Sequence, residues 1–310
     1  MTCAGVSADG VRLFLTTKDD LQIWDTIAGR RLCRQAWPDT FTRSWPWFVA
    51  TPDGTQVIVG DQGQPLHVVP VTAAPDSTPR SMLGTPQPRG PGREFYMIHG
   101  FSPQGGWVVC DGPAGRTVQR GRTYSIWPDG NHTRAWVLAR EINASSMHLL
   151  GGDGRWALGA ARNGTDCGLW DTRDGRSLGT LGIDDALGVC ASADHRFAVL
   201  AGRSRITLWE AATLRPGASW PSPPDVAGTL PQFSPDSRIL AVHDRSGSIF
   251  LHEVPGGRLE LTLSVPGGFP LWNVQWAGTR RLIAVGTNGL VGEWDLKRTE
   301  EAAARAGLHW

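Results

Sequence analysis

The sequence predicts an all-β protein built from seven copies of one antiparallel unit. Three observations predict it: a recurring turn, a recurring dipeptide and a near-constant interval between them. The dipeptide site reads Trp24-Asp25, Val69-Pro70, Trp127-Pro128, Trp170-Asp171, Trp209-Glu210, His252-Glu253 and Trp294-Asp295, so that successive first positions lie 45, 58, 43, 39, 43 and 42 residues apart. The turn site reads Ser7-Ala8-Asp9-Gly10, Thr51-Pro52-Asp53-Gly54, Ser102-Pro103-Gln104-Gly105, Gly152-Asp153-Gly154, Ser192-Ala193-Asp194-His195, Ser234-Pro235-Asp236-Ser237 and Ala277-Gly278-Thr279-Arg280. Each turn precedes its dipeptide by a similar distance, except in the third unit, where the interval is longer. Roughly 40–45 residues is the period of a propeller blade of four short strands, and 310 residues shared among seven units gives about 44 each. The expected fold is a seven-bladed β-propeller of four-stranded antiparallel blades, with a short C-terminal helix.

The strands follow from short runs of Val, Ile, Leu, Phe and Trp punctuated by Gly, Pro, Asp and Ser, which is strand and turn chemistry. In the fifth unit Leu187 to Ala191 approaches the turn and Phe197 to Ala201 leaves it. Ile206 to Trp209 then ends at the dipeptide, and a weaker stretch near Ala218 to Trp220 completes the set. The propeller should occupy residues 1–298, in units of about 1–37, 45–86, 95–139, 147–182, 187–223, 228–268 and 271–298. Residues 299–310 form a C-terminal helix or a tail that closes the last blade. Thr299 suits an N-cap, Glu300 and Glu301 suit the positive end of a helix, and Gly307 suits its stop. Three consecutive alanines without a β-branched residue favour helix over strand. Leu308 and Trp310 are the apolar groups available to anchor it.

The turns and the four Trp-Asp or Trp-Glu endings resemble those of WD40-repeat proteins, and the resemblance covers nearly the whole chain. It implies a degenerate, bacterial-type member with Trp24, Asp25, Trp127, Trp170, Asp171, Trp209, Trp294 and Asp295 as structural repeat positions on the third strands. The family's Gly-His pair is missing from every unit, so its buried Asp-His-Ser-Trp hydrogen-bond network should be absent or incomplete. Two units have also lost the Trp, at Val69 and His252. Related propellers with Ser-Pro-Asp-Gly turns and no Trp-Asp ending are the alternative.

Composition narrows the function classes. Thirty basic residues face 29 acidic ones, so bulk charge points to neither nucleic acid nor an anionic membrane. Lys18 and Lys297 are the only lysines, the coding bias of a GC-rich, bacterial genome. No run approaches the 18 or so apolar residues that span a bilayer, and the first residues carry no charged start followed by an apolar stretch. The expected location is cytoplasmic. Cys3, Cys33, Cys110, Cys167 and Cys190 are odd in number, far apart and without a Cys-x-x-Cys spacing, so buried free thiols are expected.

The sequence contains no phosphate-binding Gly-rich loop, no His-Glu-x-x-His pair, no Gly-x-Ser-x-Gly elbow and no calcium loop. The eight histidines are scattered along the chain, and the adjacent acidic pairs, Asp19-Asp20, Asp184-Asp185 and Glu300-Glu301, form no acid/base couple. No catalytic residue, metal site or cofactor is expected.

Two loop segments stand out. Thr85-Pro-Gln-Pro-Arg-Gly-Pro-Gly-Arg93 links the second unit to the third, and Gly112-Pro-Ala-Gly-Arg-Thr-Val-Gln-Arg-Gly-Arg122 joins the middle strands of the third, lengthening its interval to 58. In a propeller these loop types open on one face, which would gather Arg89, Arg93, Arg116, Arg120 and Arg122. Against Glu94 and Asp111 the local balance is +3. Guanidinium forks bind carboxylate and phosphate oxygens in pairs. Trp45, Trp47 and Trp272 are expected on the same face, and tryptophan beside arginine is interface composition. The plain reading is also open: such loops are ordinary solvated insertions, and Trp47 and Trp272 begin inner strands and pack between blades.

The function expected is that of a non-enzymatic protein–protein interaction scaffold, a sensor or partner-binding module of a bacterial signalling system. Its partner would be a protein or peptide, acidic where it meets the arginines. Neither nucleic acid nor membrane is expected as partner, and the chain would act as a monomer or within a larger complex. The alternative is a propeller enzyme or small-molecule binder using polar residues at an axial channel.

Overall fold

The structure is a computed structural model. It describes residues 3–7, 11–17, 19–37, 47–50, 56–60, 67–71, 80–81, 98–101, 107–112, 123–128, 136–137, 144–150, 156–161, 167–171, 176–181, 186–224, 226, 231–265, 267–287 and 290–305. These residues form antiparallel sheets that succeed one another along the chain, each with its strands in chain order. The first holds β1 (Cys3–Val6), β2 (Arg12–Thr16), β3 (Asp20–Asp25) and β4 (Arg30–Ala36), and the second β5 (Trp47–Ala50), β6 (Gln56–Gly60), β7 (His67–Pro70) and β8 (Arg80–Ser81). The third holds β9 (Ile98–Phe101), β10 (Trp107–Gly112), β11 (Thr123–Pro128) and β12 (Trp136–Val137). The fourth holds β13 (Ala144–Leu150), β14 (Trp156–Ala161), β15 (Cys167–Asp171) and β16 (Ser177–Leu181). The fifth holds β17 (Ala186–Ala191), β18 (Phe197–Gly202), β19 (Arg205–Glu210) and β20 (Arg215–Pro221). The sixth holds β21 (Gln232–Phe233), β22 (Ile239–His243), β23 (Ser248–Glu253) and β24 (Leu259–Ser264). The last has three strands among the described residues, β25 (Leu271–Trp276), β26 (Arg281–Gly286) and β27 (Val291–Asp295), followed by α1 (Leu296–Arg305).

The register repeats with the sequence. Trp24 lies opposite Leu13, Val69 opposite Val57, Trp127 opposite Val108, Trp209 opposite Ala198, His252 opposite Leu240 and Trp294 opposite Leu282. In all six pairs the partner is the second residue of the second strand. The turn sets this phase. Ser192 Oγ accepts from Phe197 N at 2.9 Å and donates to Asp194 Oδ1 at 2.7 Å, while Asp194 Oδ1 also accepts from Arg196 N at 3.0 Å. Ser234 and Asp236 repeat the arrangement with Ile239 N and Arg238 N, and Ser7 Oγ accepts from Arg12 N. His195 and Ser237, at the fourth position of their turns, have φ of 59°, in the left-handed region that favours glycine; in sequence the first three units carry Gly10, Gly54 and Gly105 at that position.

The chain falls into two compact units, one of Met1–Asn143 with Trp170–Ser177, the other of Ala144–Leu169 with Leu178–Trp310. Within the first, Phe14, Leu21, Ile23 and Cys33 pack on Val57, Val59 and Val69 of the second sheet. Within the second, strand periodicity divides each middle strand between two cores. Ala198 and Leu200 of β18 pack with Leu158, Cys167 and Leu169 of the fourth sheet, whereas Phe197, Val199 and Ala201 pack with Phe233, Leu240 and Val242 of the sixth. Ala241, between Leu240 and Val242, joins the core shared with Val274, Leu282 and Ala284 of the last sheet. First strands also neighbour one another: β1 lies beside β5 and β5 beside β9, and in the other unit β13 lies beside β17, β17 beside β21 and β21 beside β25. Outer strands are polar-faced; Ser177–Thr180 of β16 and most of β20 are exposed.

The C-terminal helix begins earlier than the sequence suggests. Its cap is Asp295, whose Oδ1 accepts from Arg298 N at 3.1 Å. Thr299, expected as the N-cap, is inside the helix and donates its hydroxyl to the Asp295 carbonyl oxygen at 2.9 Å. The Asp of the Trp-Asp pair lies at the end of β27, four residues before Thr299, so its carboxylate reaches the helix N–H groups first. Leu308 and Trp310, the expected anchors, lie outside the described residues. The anchor seen is Leu296, 3% exposed and packed with Trp276, Leu282 and Trp294, assisted by an Arg280–Glu300 ion pair.

Magnitudes separate the two attachments. Leu296→Ala removes a buried side chain, and a loss of about 2–5 kcal/mol is expected in urea unfolding. Arg280→Ala removes a partly solvated pair and should cost no more than about 1 kcal/mol. Equal losses would show that the ion pair carries the helix. Ser192→Ala leaves the enclosed Phe197 N–H without its acceptor and should cost about 1–3 kcal/mol by the same measurement.

Candidate functional site

Of the expected binding residues, Arg89 and Arg93 fall between β8 and β9, Arg116, Arg120 and Arg122 between β10 and β11, and Trp45 between β4 and β5. These six lie outside the described residues. Trp47 opens β5 and Trp272 is the second residue of β25, both first strands. Trp24, Trp127, Trp170, Trp209 and Trp294 are on third strands. Trp170 is 1% exposed. Trp24, Trp209 and Trp294 are half-buried. Trp24 Nε1 donates to Gln22 Oε1 at 3.2 Å, while Trp209 Nε1 is enclosed without a partner.

The Asp of the dipeptide works on the turn that follows it. Asp25 Oδ1 accepts from Ile27 N at 2.9 Å and Ala28 N at 2.8 Å. Those backbone bonds hold its carboxyl below the usual carboxylate range. Glu210, longer by one methylene, instead accepts from the Thr213 hydroxyl at 3.2 Å. Asp20 opens β3 as a buried carboxylate, and its partners are side chains of Thr17, Gln22 and Arg34. Burial raises its pKa, but these donors together outweigh burial and hold the carboxyl low.

A cleft of about 400 Å³ opens in the second compact unit, lined by Trp156, His195, Arg196, Phe197, Glu210, Ala211 and Ala212. Three local features build it. The turn from β17 to β18 supplies His195 and Arg196, the cross-strand pair Phe197 and Glu210 puts an aromatic and a carboxylate opposite each other, and Trp156 begins β14. The Arg196 guanidinium carbon is 5.2 Å from the Phe197 ring centroid, within cation–π range. His195 Nδ1 is enclosed and has no hydrogen-bond partner. The sequence flagged His195 only as one scattered histidine at a turn. Its signal was that it replaces a turn glycine; nothing in the sequence marks Trp156.

His252 and His243 are structural. His252 occupies the Trp site of the sixth sheet, buried, with Nδ1 3.1 Å from Gly257 O and its ring 5.4 Å from that of Trp220. Gly257, at φ 78°, lies directly under the Trp220 ring, where no Cβ fits. His243 is buried beside the Asp244 carbonyl. Burial lowers the pKa of His195, His243 and His252. It pushes the Cys190 thiol up to about 12, leaving an unreactive thiol. Cys33 and Cys190 are buried free thiols, as the sequence predicts, and Cys167 is buried. Among the described residues no group of three or more His, Cys, Asp or Glu could hold a metal ion, and no helix is long and apolar enough to cross a membrane.

No known protein family matches this chain, and no curated protein matches its sequence.

Depressed histidines fix the sign of the acid response. With folded pKa values below 6.5, the unfolded chain takes up protons first, so stability falls as pH drops below about 6.5 and levels off below the folded values. Asp20 and Asp194, depressed from 3.8, add a separate loss only at lower pH. Urea midpoints between pH 7 and pH 5 should fall for the wild type and fall less for His252→Phe. An identical slope in the variant would mean that His252 is protonated without cost.

Proposed function

We propose that the successive sheets close into one seven-bladed propeller of WD40 type, and that the protein is a non-enzymatic scaffold that binds protein segments on its loop faces. The observation that carries the fold is the repeated register of the dipeptide site, joined to middle strands that feed a core on either side. A sheet of that kind needs a neighbour on both faces, and a ring gives every sheet two. The reading of function is supported by what the chain adds to the repeat. Two loop segments carry five arginines, with Glu94 and Asp111 as flanking acidic residues, in a chain of net charge +1.

Scattering from the protein in solution should give a radius of gyration of about 20 Å, the size of one compact body of this length. A distinctly larger value would mean two separated units. For function, a pull-down with the intact protein is compared with one in which Arg89, Arg93, Arg116, Arg120 and Arg122 are all Ala. The expected result is a partner lost in the variant and released from the wild type by added salt, since exposed charges are screened over about 10 Å at 0.1 M. A partner retained equally by both, at any salt, would sink the arginine surface.

A further inference from the structure

Two departures from the chain's own repeat meet in one cleft. The turns of the first three units end in Gly, but the fifth ends in His195, at φ 59°. Trp24, Trp170 and Trp294 are followed by Asp, but Trp209 is followed by Glu210. Both replacements line the cleft of about 400 Å³, with Trp156, Arg196 and Phe197. By contrast, His252, which replaces a repeat Trp, is buried and bonded to a backbone carbonyl. Departures at His195 and Glu210 place polar groups at an opening instead of filling a core.

Hydrogen-bond capacity then selects the ligand. His195 Nδ1 is enclosed with no partner, and an enclosed bare acceptor is tolerated better than an orphaned N–H. The ring proton therefore belongs on Nε2, the nitrogen left to act as donor. Arg196 has no ion pair among the described residues, and its guanidinium rests on Phe197. Glu210 already accepts from Thr213, and Asp194 from Ser192 and the Arg196 backbone. The donors left for a ligand are thus His195 Nε2–H and the Arg196 guanidinium, which brings one fixed positive charge. The carboxylates of Asp194 and Glu210 nearby disfavour a ligand with two negative charges. Trp156, Phe197, Ala211 and Ala212 supply apolar wall.

We propose that this cleft binds a carboxylate monoanion carried on an apolar or aromatic body, with Arg196 and His195 Nε2–H as donors and Trp156 as wall. The chemistry is shared by a free aromatic acid and by an acidic residue beside an aromatic one in a protein segment. The site stands independently of the loop arginines.

Saturation-transfer NMR and calorimetry on the full chain test it with four probes: 3-phenylpropionate, its neutral amide, phenyl phosphate, and the capped dipeptide acetyl-Glu-Phe-amide. The carboxylates should bind at least about tenfold more tightly than the amide and than phenyl phosphate. Arg196→Gln should weaken them about tenfold, and Ala212→Trp, an exposed position that fills the cleft, should abolish binding with the melting temperature unchanged. The five-arginine variant should bind as the wild type does, so failure here is distinguishable from failure of the loop surface. Tighter binding of the dipeptide assigns the cleft to protein segments, and tighter binding of the free acid assigns it to a metabolite. Equal binding of acid and amide, preference for the phosphate, or binding that survives Ala212→Trp would overturn the proposal.

Discussion

Two-sided burial of the middle strands is the constraint on which the rest of the structure depends. All six residues of β18 and all five of β15 are buried, and β26 is buried after its first residue. A single meander cannot achieve this, because one face of each middle strand would lie open to water. The alternation seen in β18 and β22, with neighbouring residues in different cores, is the direct expression of that constraint. It also explains the composition. Middle strands such as Phe197-Ala-Val-Leu-Ala-Gly202 mix large and small side chains so that sheets pack closely on both sides, while β16 can afford Ser, Gly and Thr because it is solvated.

Burial on two faces tolerates no error of register, since a slip of one residue would exchange the two cores. The Ser-x-Asp turns protect against such a slip. Each Ser takes the N–H of the residue five positions on, and its Asp takes the N–H before that, so the second strand starts at a fixed residue. The turns also couple neighbours, for Asp194 N donates to Ser237 Oγ at 3.0 Å, joining the turn of the fifth sheet to that of the sixth. Serine at 237 is therefore favoured over glycine despite its left-handed backbone: the hydroxyl gained offsets the strain.

Strand existence, order and the repeated third-strand positions were legible because turn chemistry and period 2 are local properties of the chain. Trp170 and Trp209 were placed by their dipeptides, the turns before them and the spacing. The helix was legible as a helix from Ala302 to Ala304, yet its start was not, because capping was decided by a competition between Asp295 and Thr299 that depends on where β27 ends. His252 read as a lost Trp, and only tertiary structure shows that a buried histidine fills the position through Gly257 and Trp220. The cleft was illegible for a further reason. Its walls come from two sheets, and no periodic signal links Trp156 to Glu210.

The repeat itself suggests why that cleft is a better guide to chemistry than any motif. At intact sites the polar side chains are consumed by the fold: Asp25 holds two backbone N–H groups, Asp295 caps a helix, and Ser192 and Ser234 bond backbone and carboxylate together. A residue that satisfies the backbone has little capacity left for a ligand. Glu210 and His195 depart from those roles in the same unit. Glu210 reaches Thr213 instead of the backbone, and His195 occupies a turn position with its Nδ1 enclosed and unbonded. In a chain whose polar groups are mostly committed to holding sheets in phase, a side chain released from that task, as His195 is, marks where binding energy for something else can come from.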